Sequence, residues 1–331
     1  MSSSTWKNLA LITGLAALIS PVVAVSASEQ TTSAGSVEIT ILSSNLANGP
    51  TIGEWGFSAL VRADDRCVLF DTGFHPDTVL RNSRALDVDL SCVTDVVLSH
   101  WHSDHMGGLV TLFEDTRTRN PTALQQIHVA KGFFQSRRSA MKPDSGELNQ
   151  MIEIRQRLEA EGVAIKVHSQ AHEIVPSVWV TGPIERRNEE KNYPSHLQVK
   201  NADGSWTIDV VPESQGLVVV TEEGPIVLLG CGHSGSVNLL EQVRREIQDQ
   251  PIHALMGGMH LFSADERTLR WTADKLNGVG IEHLMAGHCT GIEPMFRLRD
   301  GLGLDRQTAV IGAVGSRFVL GEGIHPTAIA Q

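Results

Sequence analysis

His100-Trp-His-Ser-Asp-His105 places His100, His102, Asp104 and His105 within one short stretch. All four side chains can donate to a transition metal. The run before it, Asp95-Val-Val-Leu-Ser99, is β-branched and apolar and reads as a buried strand. The run after it, Met106-Gly-Gly-Leu-Val110, reads as a turn into a helix. The donors therefore fall at a strand's C-terminal end, where α/β folds gather their chemistry. Imidazole and carboxylate suit Zn²⁺, and also Fe or Mn. His100 and His102 alternate and can point to one side, while Asp104 and His105 can reach a second ion. Two divalent ions, Zn²⁺ first among them, are the expected cofactors. Such a pair can share a bridging hydroxide that is nucleophilic near neutral pH.

Further along, the same punctuation recurs. The apolar run 225–229 leads into Gly230-Cys-Gly-His233-Ser-Gly235, followed by a helix with Leu239, Leu240, Val243 and Ile247 on one face. Ala254-Leu-Met256 leads into Gly257-Gly-Met-His260. Ser263-Ala-Asp-Glu266 reads as a capping box opening a second helix. Residues 282–286 lead into Gly287-His288-Cys-Thr-Gly291. Strand, turn with His, helix: the repetition sets His233, His260 and His288 on one edge of the sheets. Other expected strands lie at 37–42, 57–62, 67–71, 125–132, 163–168, 174–181, 206–211 and 216–221, with a helix over 147–161.

His-x-His-x-Asp-His after a strand ending Asp71-Thr-Gly73 resembles the signature of the metallo-β-lactamase superfamily. The resemblance spans roughly 36–320 and implies an α/β fold: a four-layer αβ/βα sandwich, two mixed sheets between outer helices. It implies that Asp71 orients a ligand histidine from behind. The glycine-flanked motifs at 230–235, 257–260 and 287–291 resemble the subgroup of 7,8-dihydropterin-6-yl-methyl-4-(β-D-ribofuranosyl)aminobenzene 5′-phosphate synthase. Thr181-Gly-Pro-Ile-Glu-Arg186 and Glu54-Trp-Gly-Phe-Ser58 resemble two further segments of it, with Trp55 where His is usual and Pro183 and Glu185 exchanged. Resemblance and spacing together assign His100, His102 and His233 to one ion, and Asp104, His105 and His288 to the other. Where the superfamily usually has a bridging Asp stands Cys231, either a bridging thiolate or a buried structural thiol. Glu213 lies near the place of a further expected His, so it is a ligand candidate too. His260 is a ligand, a general acid or a substrate contact. Arg186, the helix start at Ser234 and Glu54 are the candidate substrate contacts; the first two suit an anionic group.

The chain ends bound the setting. Lys7, an apolar stretch over 9–19 and Val25-Ser-Ala27 resemble an export signal cut after residue 27. Residues 28–35 then read as a linker, 36–320 as the catalytic-type domain with 133–205 as a lid or substrate wall, and 321–331 as a tail. The apolar stretch is short for a membrane span, so no stable anchor is expected after the cut, and the expected location is periplasmic or secreted. Export would permit a Cys67–Cys92 disulfide; two buried thiols fit the spacing equally well. A net charge of −11 excludes a basic nucleic-acid-binding surface. The partner expected is therefore a small molecule. Three functions follow in order: an exported hydrolase of ester or phosphoester-like substrates, a transferase of the synthase type, and a non-catalytic metal-binding or sensor protein.

Overall fold

A computed structural model describes residues 1–3, 5 and 32–331, so the apolar part of the expected export signal and its cut lie outside the described residues. Strand alternation builds the architecture. In Ile226–Leu229, Ile226 and Leu228 face one core while Val227 and Leu229 face another. In Arg66–Phe70, Val68 and Phe70 face the first of these cores, and Cys67 and Leu69 a third. Period-two burial on both faces means that each sheet is covered on both sides.

The first sheet has eight strands in the order Gly323–His325, Arg317–Val319, Val37–Ser43, Ser58–Ala63, Arg66–Phe70, Asp95–Val97, Gln126–Ala130 and Ala164–His168. Its last four run parallel. The second has seven, in the order Ala309–Ile311, His283–Ala286, Ala254–Gly257, Ile226–Leu229, Gly216–Val219, Val178–Val180 and His172–Val175, and its first four run parallel. Ile39, Val61, Phe70 and Val97 of one sheet meet Leu217, Leu228, Met256 and Met285 of the other in the central core. Helices Leu109–Arg119 and Met151–Ala160 cover the first sheet, through Leu112 and Leu158. Helices Ser236–Glu246, Glu266–Gly278 and Ile292–Gly301 cover the second, through Leu239, Leu276 and Leu298. This is the four-layer sandwich.

Several local expectations change. The strand expected over 174–181 is a hairpin of two strands turning at Ser177, whose φ of 62° is left-handed. The helix expected from a Ser263–Glu266 box starts two positions on: Asp265, not Ser263, is the cap, accepting from the Thr268 amide at 2.8 Å. Residues 133–205 are not merely a wall, because Phe133, Met151, Leu158 and Val163 sit in the core. Within the expected tail, Gly323–His325 pairs with Arg317–Val319 as an edge strand. At the other end of the domain, Ala34, expected in a linker, bridges Thr221. Cys67 and Cys92 are joined as a disulfide with their Cα atoms 5.7 Å apart. No helix among the described residues is long and apolar enough to cross a membrane.

Candidate metal centre

Strand Asp95–Val97 of the first sheet delivers His100 to His105, and the second sheet's strands deliver Cys231, His233, His260 and His288 just past their C-terminal ends. The two sets meet across the sandwich. His100, His102 and His233 form one donor group; Asp104, His105, Cys231 and His288 form another, with all donor atoms in each within 4.8 Å of one another. The rings of His100 and His105, one from each group, are 4.2 Å apart, so the groups are adjacent. The close fit needs glycine at 230, where a Cβ would stand 2.0 Å from Ser99 Oγ and 2.8 Å from Asp71 Oδ2.

Asp71 organises the first sheet's half. It is fully buried, and its carboxylate accepts from the Ser99 amide at 2.7 Å, Ser99 Oγ at 2.7 Å and His105 Nδ1 at 2.6 Å. Ser99 Oγ in turn accepts from His100 Nδ1 at 2.9 Å. One carboxylate thus sets both rings, leaving each Nε2 with its electron pair toward the centre. In the second half, His233 Nδ1 donates to the Asn192 carbonyl, so its Nε2, 3.1 Å from His102 Nδ1, carries the free pair. Cys231 Sγ lies 3.2 Å from both His105 Nε2 and His288 Nε2, and His288 Nε2 lies 3.3 Å from Asp104 Oδ2. His260 and His288 hold left-handed φ values of 50° and 51°, a local strain kept by the packed turns around them.

The electrostatics are those of a cation site. Burial, with the neighbouring histidines, holds His100 and His233 well below the ordinary histidine range, and burial takes His102 down to about 4. Burial alone would raise Asp104, but His105 and His288 outweigh it and keep the carboxylate ionised. Burial likewise opposes charge on His105, yet Asp104 and Asp71 push it up to about 9. His100, His102 and His233 are thus neutral beside an ionised Asp104, as a divalent ion requires of its donors, and an ion bound in the second group would displace the extra proton of His105. One further observation fits such an ion: His100 Nε2, the nitrogen turned toward the centre, is buried without a hydrogen-bond partner.

The other candidates divide. His260 lies at the edge, its ring 4.7 Å from that of His233 and its Nδ1 unpartnered; it groups with Cys231 and Cys289. Glu213 belongs to no donor group. Arg137 holds it at 2.7 Å in a buried network in which Arg137 also meets Asp209, and Asp209 accepts from Trp101 Nε1 at 2.9 Å. Glu213 therefore braces the loop between two ligands from below. Glu54 is not free for substrate either: its carboxylate accepts from Ser43 Oγ at 2.7 Å and from the amides of Phe74 and His75, each at 2.9 Å. Arg186 is spent on the carbonyls of Glu190, Val210 and His233, at 3.1, 2.5 and 2.6 Å. The helix start after Ser234 is closed to an anion because Glu190 already caps it, accepting from the amides of Val237 at 3.2 Å and Asn238 at 3.0 Å. Ser234 Oγ itself is buried and unpartnered.

Sequence reasoning missed Ser99, Asn192 and, at the rim, Phe262; Trp55 lies in the segment 54–58 that the motifs singled out. Trp55 and Phe262, each about half exposed, meet edge to face at 5.8 Å, with Trp55 5.2 Å from the His288 ring. No spacing rule flags Asn192, whose contribution is a backbone carbonyl. Ser99 was the traceable one: it stands between the expected strand and the first ligand.

A sequence profile of the metallo-β-lactamase superfamily matches residues 56–172. The sandwich described above is the fold of the metal-dependent hydrolase of that superfamily reported below, so profile and fold agree with the resemblance read from the motifs. It is similar to 7,8-dihydropterin-6-methyl-4-(β-D-ribofuranosyl)-aminobenzene-5′-phosphate synthase of Methanocaldococcus jannaschii, at 27% identity over 74% of this chain and 84% of that protein. An uncharacterized protein of the same organism is 25% identical over 78% of this chain and 93% of its own length. Among solved structures, a metal-dependent hydrolase of the β-lactamase superfamily superposes with a TM-score of 0.68 at 24% identity, covering 85% of this chain and 98% of that one. The metallo-β-lactamase fold protein YhfI from Bacillus subtilis gives 0.50 at 13% identity, covering 86% and 99%. These two likenesses concern the fold.

Proposed function

We propose that the chain is an exported hydrolase that holds two divalent ions, Zn²⁺ first among them, and cleaves an ester or phosphoester-like bond in a small molecule. The observation that carries this reading is the meeting of two adjacent donor groups, one suited to each ion. Divalent ions held there supply Lewis-acid polarisation and water activation near neutral pH. The chain's own residues do the rest. Asp71, Ser99 and Asn192 fix the ligand rings in one tautomer. Asp104 keeps an anionic oxygen at the centre. His260, at the edge with an unpartnered Nδ1, is placed to pass a proton to a leaving group. Trp55 and Phe262 offer aromatic faces at the rim, where a planar or apolar part of the substrate can pack.

A second reading, transfer between two organic substrates, is favoured by the named synthase among the relatives and by the same aromatic rim. Export is supported by the pattern over residues 1–27 and by the Cys67–Cys92 disulfide, a bond characteristic of oxidising compartments. The test is a screen on zinc-replete protein. Phosphodiesters, phosphomonoesters, lactones and β-lactams form one arm; a dihydropterin diphosphate with an aminobenzene ribofuranosyl phosphate forms the other. Turnover in the first arm that His102→Ala abolishes supports the hydrolase, and product in the second arm alone supports the transferase. Activity unaffected by His102→Ala defeats both. Expression of the full chain with fractionation tests export: a mature N-terminus at Ser28 is expected, and an uncut cytoplasmic chain would refute it.

A further inference from the structure

The parallel strands of the second sheet carry the metal centre at their C-terminal ends, and at their N-terminal ends they gather a different set of donors. His253 directly precedes Ala254–Gly257, Glu282 and His283 open the neighbouring strand, and Glu223 sits in the turn before Ile226–Leu229. The donor atoms of His253, Glu282 and His283 lie within 4.8 Å of one another. From this juxtaposition we infer a further cation site, built from His253, Glu282 and His283, that takes a borderline divalent ion such as Zn²⁺.

The hydrogen bonds around the three residues are those of ligands held in place from behind. Glu223 Oε2 lies 3.1 Å from His253 Nε2, so the carboxylate takes that proton and leaves the electron pair on Nδ1. His253 Nδ1 is 2.8 Å from Glu282 Oε2. An electron pair on Nδ1 would thus face a carboxylate oxygen at hydrogen-bond distance, a contact that needs a hydrogen or a cation between the two, and a small opening to the separation of about 3.4 Å expected of two tetrahedral zinc ligands would admit the ion. His283 Nδ1 donates to the His253 carbonyl at 3.3 Å, which frees Nε2. The site of the proposal is partly dry: the His253 side chain is only 6% exposed, whereas that of Glu282 is 57% exposed and gives access from solvent. Two glycines make the arrangement possible. At Gly224, with φ of +116°, a Cβ would lie 2.4 Å from the Pro251 carbonyl oxygen and 3.6 Å from His253 Cβ, so only glycine lets this turn bring Glu223 so near. At Gly323, with φ of +85°, a Cβ would crowd His283 Nε2 at 3.1 Å.

An ion here would tie the starts of two parallel strands to the turn beside them, on the side of the sheet opposite the proposed active site. The alternative is a metal-free cluster, in which a hydrogen rather than an ion lies between His253 Nδ1 and Glu282 Oε2.

The experiment counts zinc on chelator-treated, zinc-repleted full-length protein by elemental analysis and calorimetry. The comparison is wild type against Glu282→Gln/His283→Asn, which spares buried His253, and against His102→Ala/Asp104→Ala. The double variant at the strand starts is expected to bind one zinc fewer than wild type, with any screened turnover unchanged. The variant at the centre is expected to keep one zinc, bound with a rise in melting temperature that adding Glu282→Gln/His283→Asn removes. Equal zinc in wild type and Glu282→Gln/His283→Asn overturns the inference, as does a complete loss of zinc from His102→Ala/Asp104→Ala. Because the two variants remove different ligands, failure of this site and failure of the catalytic reading give different counts.

Discussion

Asp71→Asn isolates the role of one carboxylate with little disturbance elsewhere. Asp71 has a φ of 57°, and Asn is the replacement that best tolerates the left-handed region, so the backbone stays put. The amide oxygen can still accept from the Ser99 N–H. The amide nitrogen, however, presents hydrogens where the carboxylate accepted from His105 Nδ1 at 2.6 Å and Ser99 Oγ at 2.7 Å. His105 must then accept at Nδ1 and carry its proton on Nε2, the nitrogen facing the centre. Through Ser99 the same reversal reaches His100. A hydrogen bond to a charged group contributes about 1.5–3 kcal/mol. At about 1.4 kcal/mol per decade, losing the one that fixes His105 weakens zinc binding by roughly 10–100-fold. The assay is zinc affinity by competition with a chromophoric chelator, with circular dichroism to show that the variant is folded. Ser99→Ala, which breaks only the link to His100, should weaken binding less. A folded Asp71→Asn protein whose zinc affinity stays within about twofold of wild type would refute the tautomer argument.

Three other outcomes follow from the structure. Burial pushes Glu213 up to about 7 even with Arg137 beside it, above its ordinary 4.5, so the native state holds a proton that the unfolded chain has lost. The resulting stabilisation is complete below about pH 4.5 and disappears as pH rises through 7, a few kcal/mol at most. Melting temperature measured with chelator present should therefore fall more between pH 5 and 8 in wild type than in Glu213→Gln, and parallel profiles would contradict this. The Cys67–Cys92 bond closes a sequence separation of 25 residues, which corresponds to about 3 kcal/mol of chain entropy. Reduction or Cys92→Ser should lower the melting temperature by roughly 6–12 °C; no shift would mean that the unfolded chain gains nothing from opening the loop. With whatever substrate the screen identifies, Trp55→Ala should raise KM by roughly 3–10-fold and leave kcat nearly unchanged, the loss of one aromatic contact. An unchanged KM would place the substrate elsewhere on the rim.

The donors were legible because their chemistry is written in residue type and spacing. His100 to His105, His233 and His288 sit in glycine-flanked turns after apolar runs, and strand ends are where such turns converge. What was not legible is whether a polar side chain is already spent. Glu54, Arg186 and Ser234 have the right chemistry for substrate, yet Glu54 and Arg186 are consumed by backbone groups far away in sequence, and Glu190 reaches the helix start first. The same limit applies to Arg137: nothing in Ser136-Arg-Arg-Ser139 says that the first arginine is fully buried between Asp209 and Glu213 while Arg138 is not. Sheet membership was partly legible. The outer strands Arg137–Ser139 and Leu197–Lys200 lack a strong alternating pattern because only one residue in each is buried. The hairpin at Ser177 was legible: Pro176-Ser177 interrupts the strand formers on either side of it.

The donor groups hang from both layers: the hexapeptide from the eight-stranded sheet, Cys231, His233 and His288 from the seven-stranded one. The geometry of the centre is thus set by how the two halves of the sandwich align, and by neither half alone. Shrinking a side chain in the seam between them, Met256 or Val97 for example, should be sensed at the ligands without touching them, as a sub-ångström slide of one layer over the other. Conversely, a cation held by both donor groups would act as a rivet through that seam. Amide exchange along the facing strands, far from any ligand, should slow when it is in place.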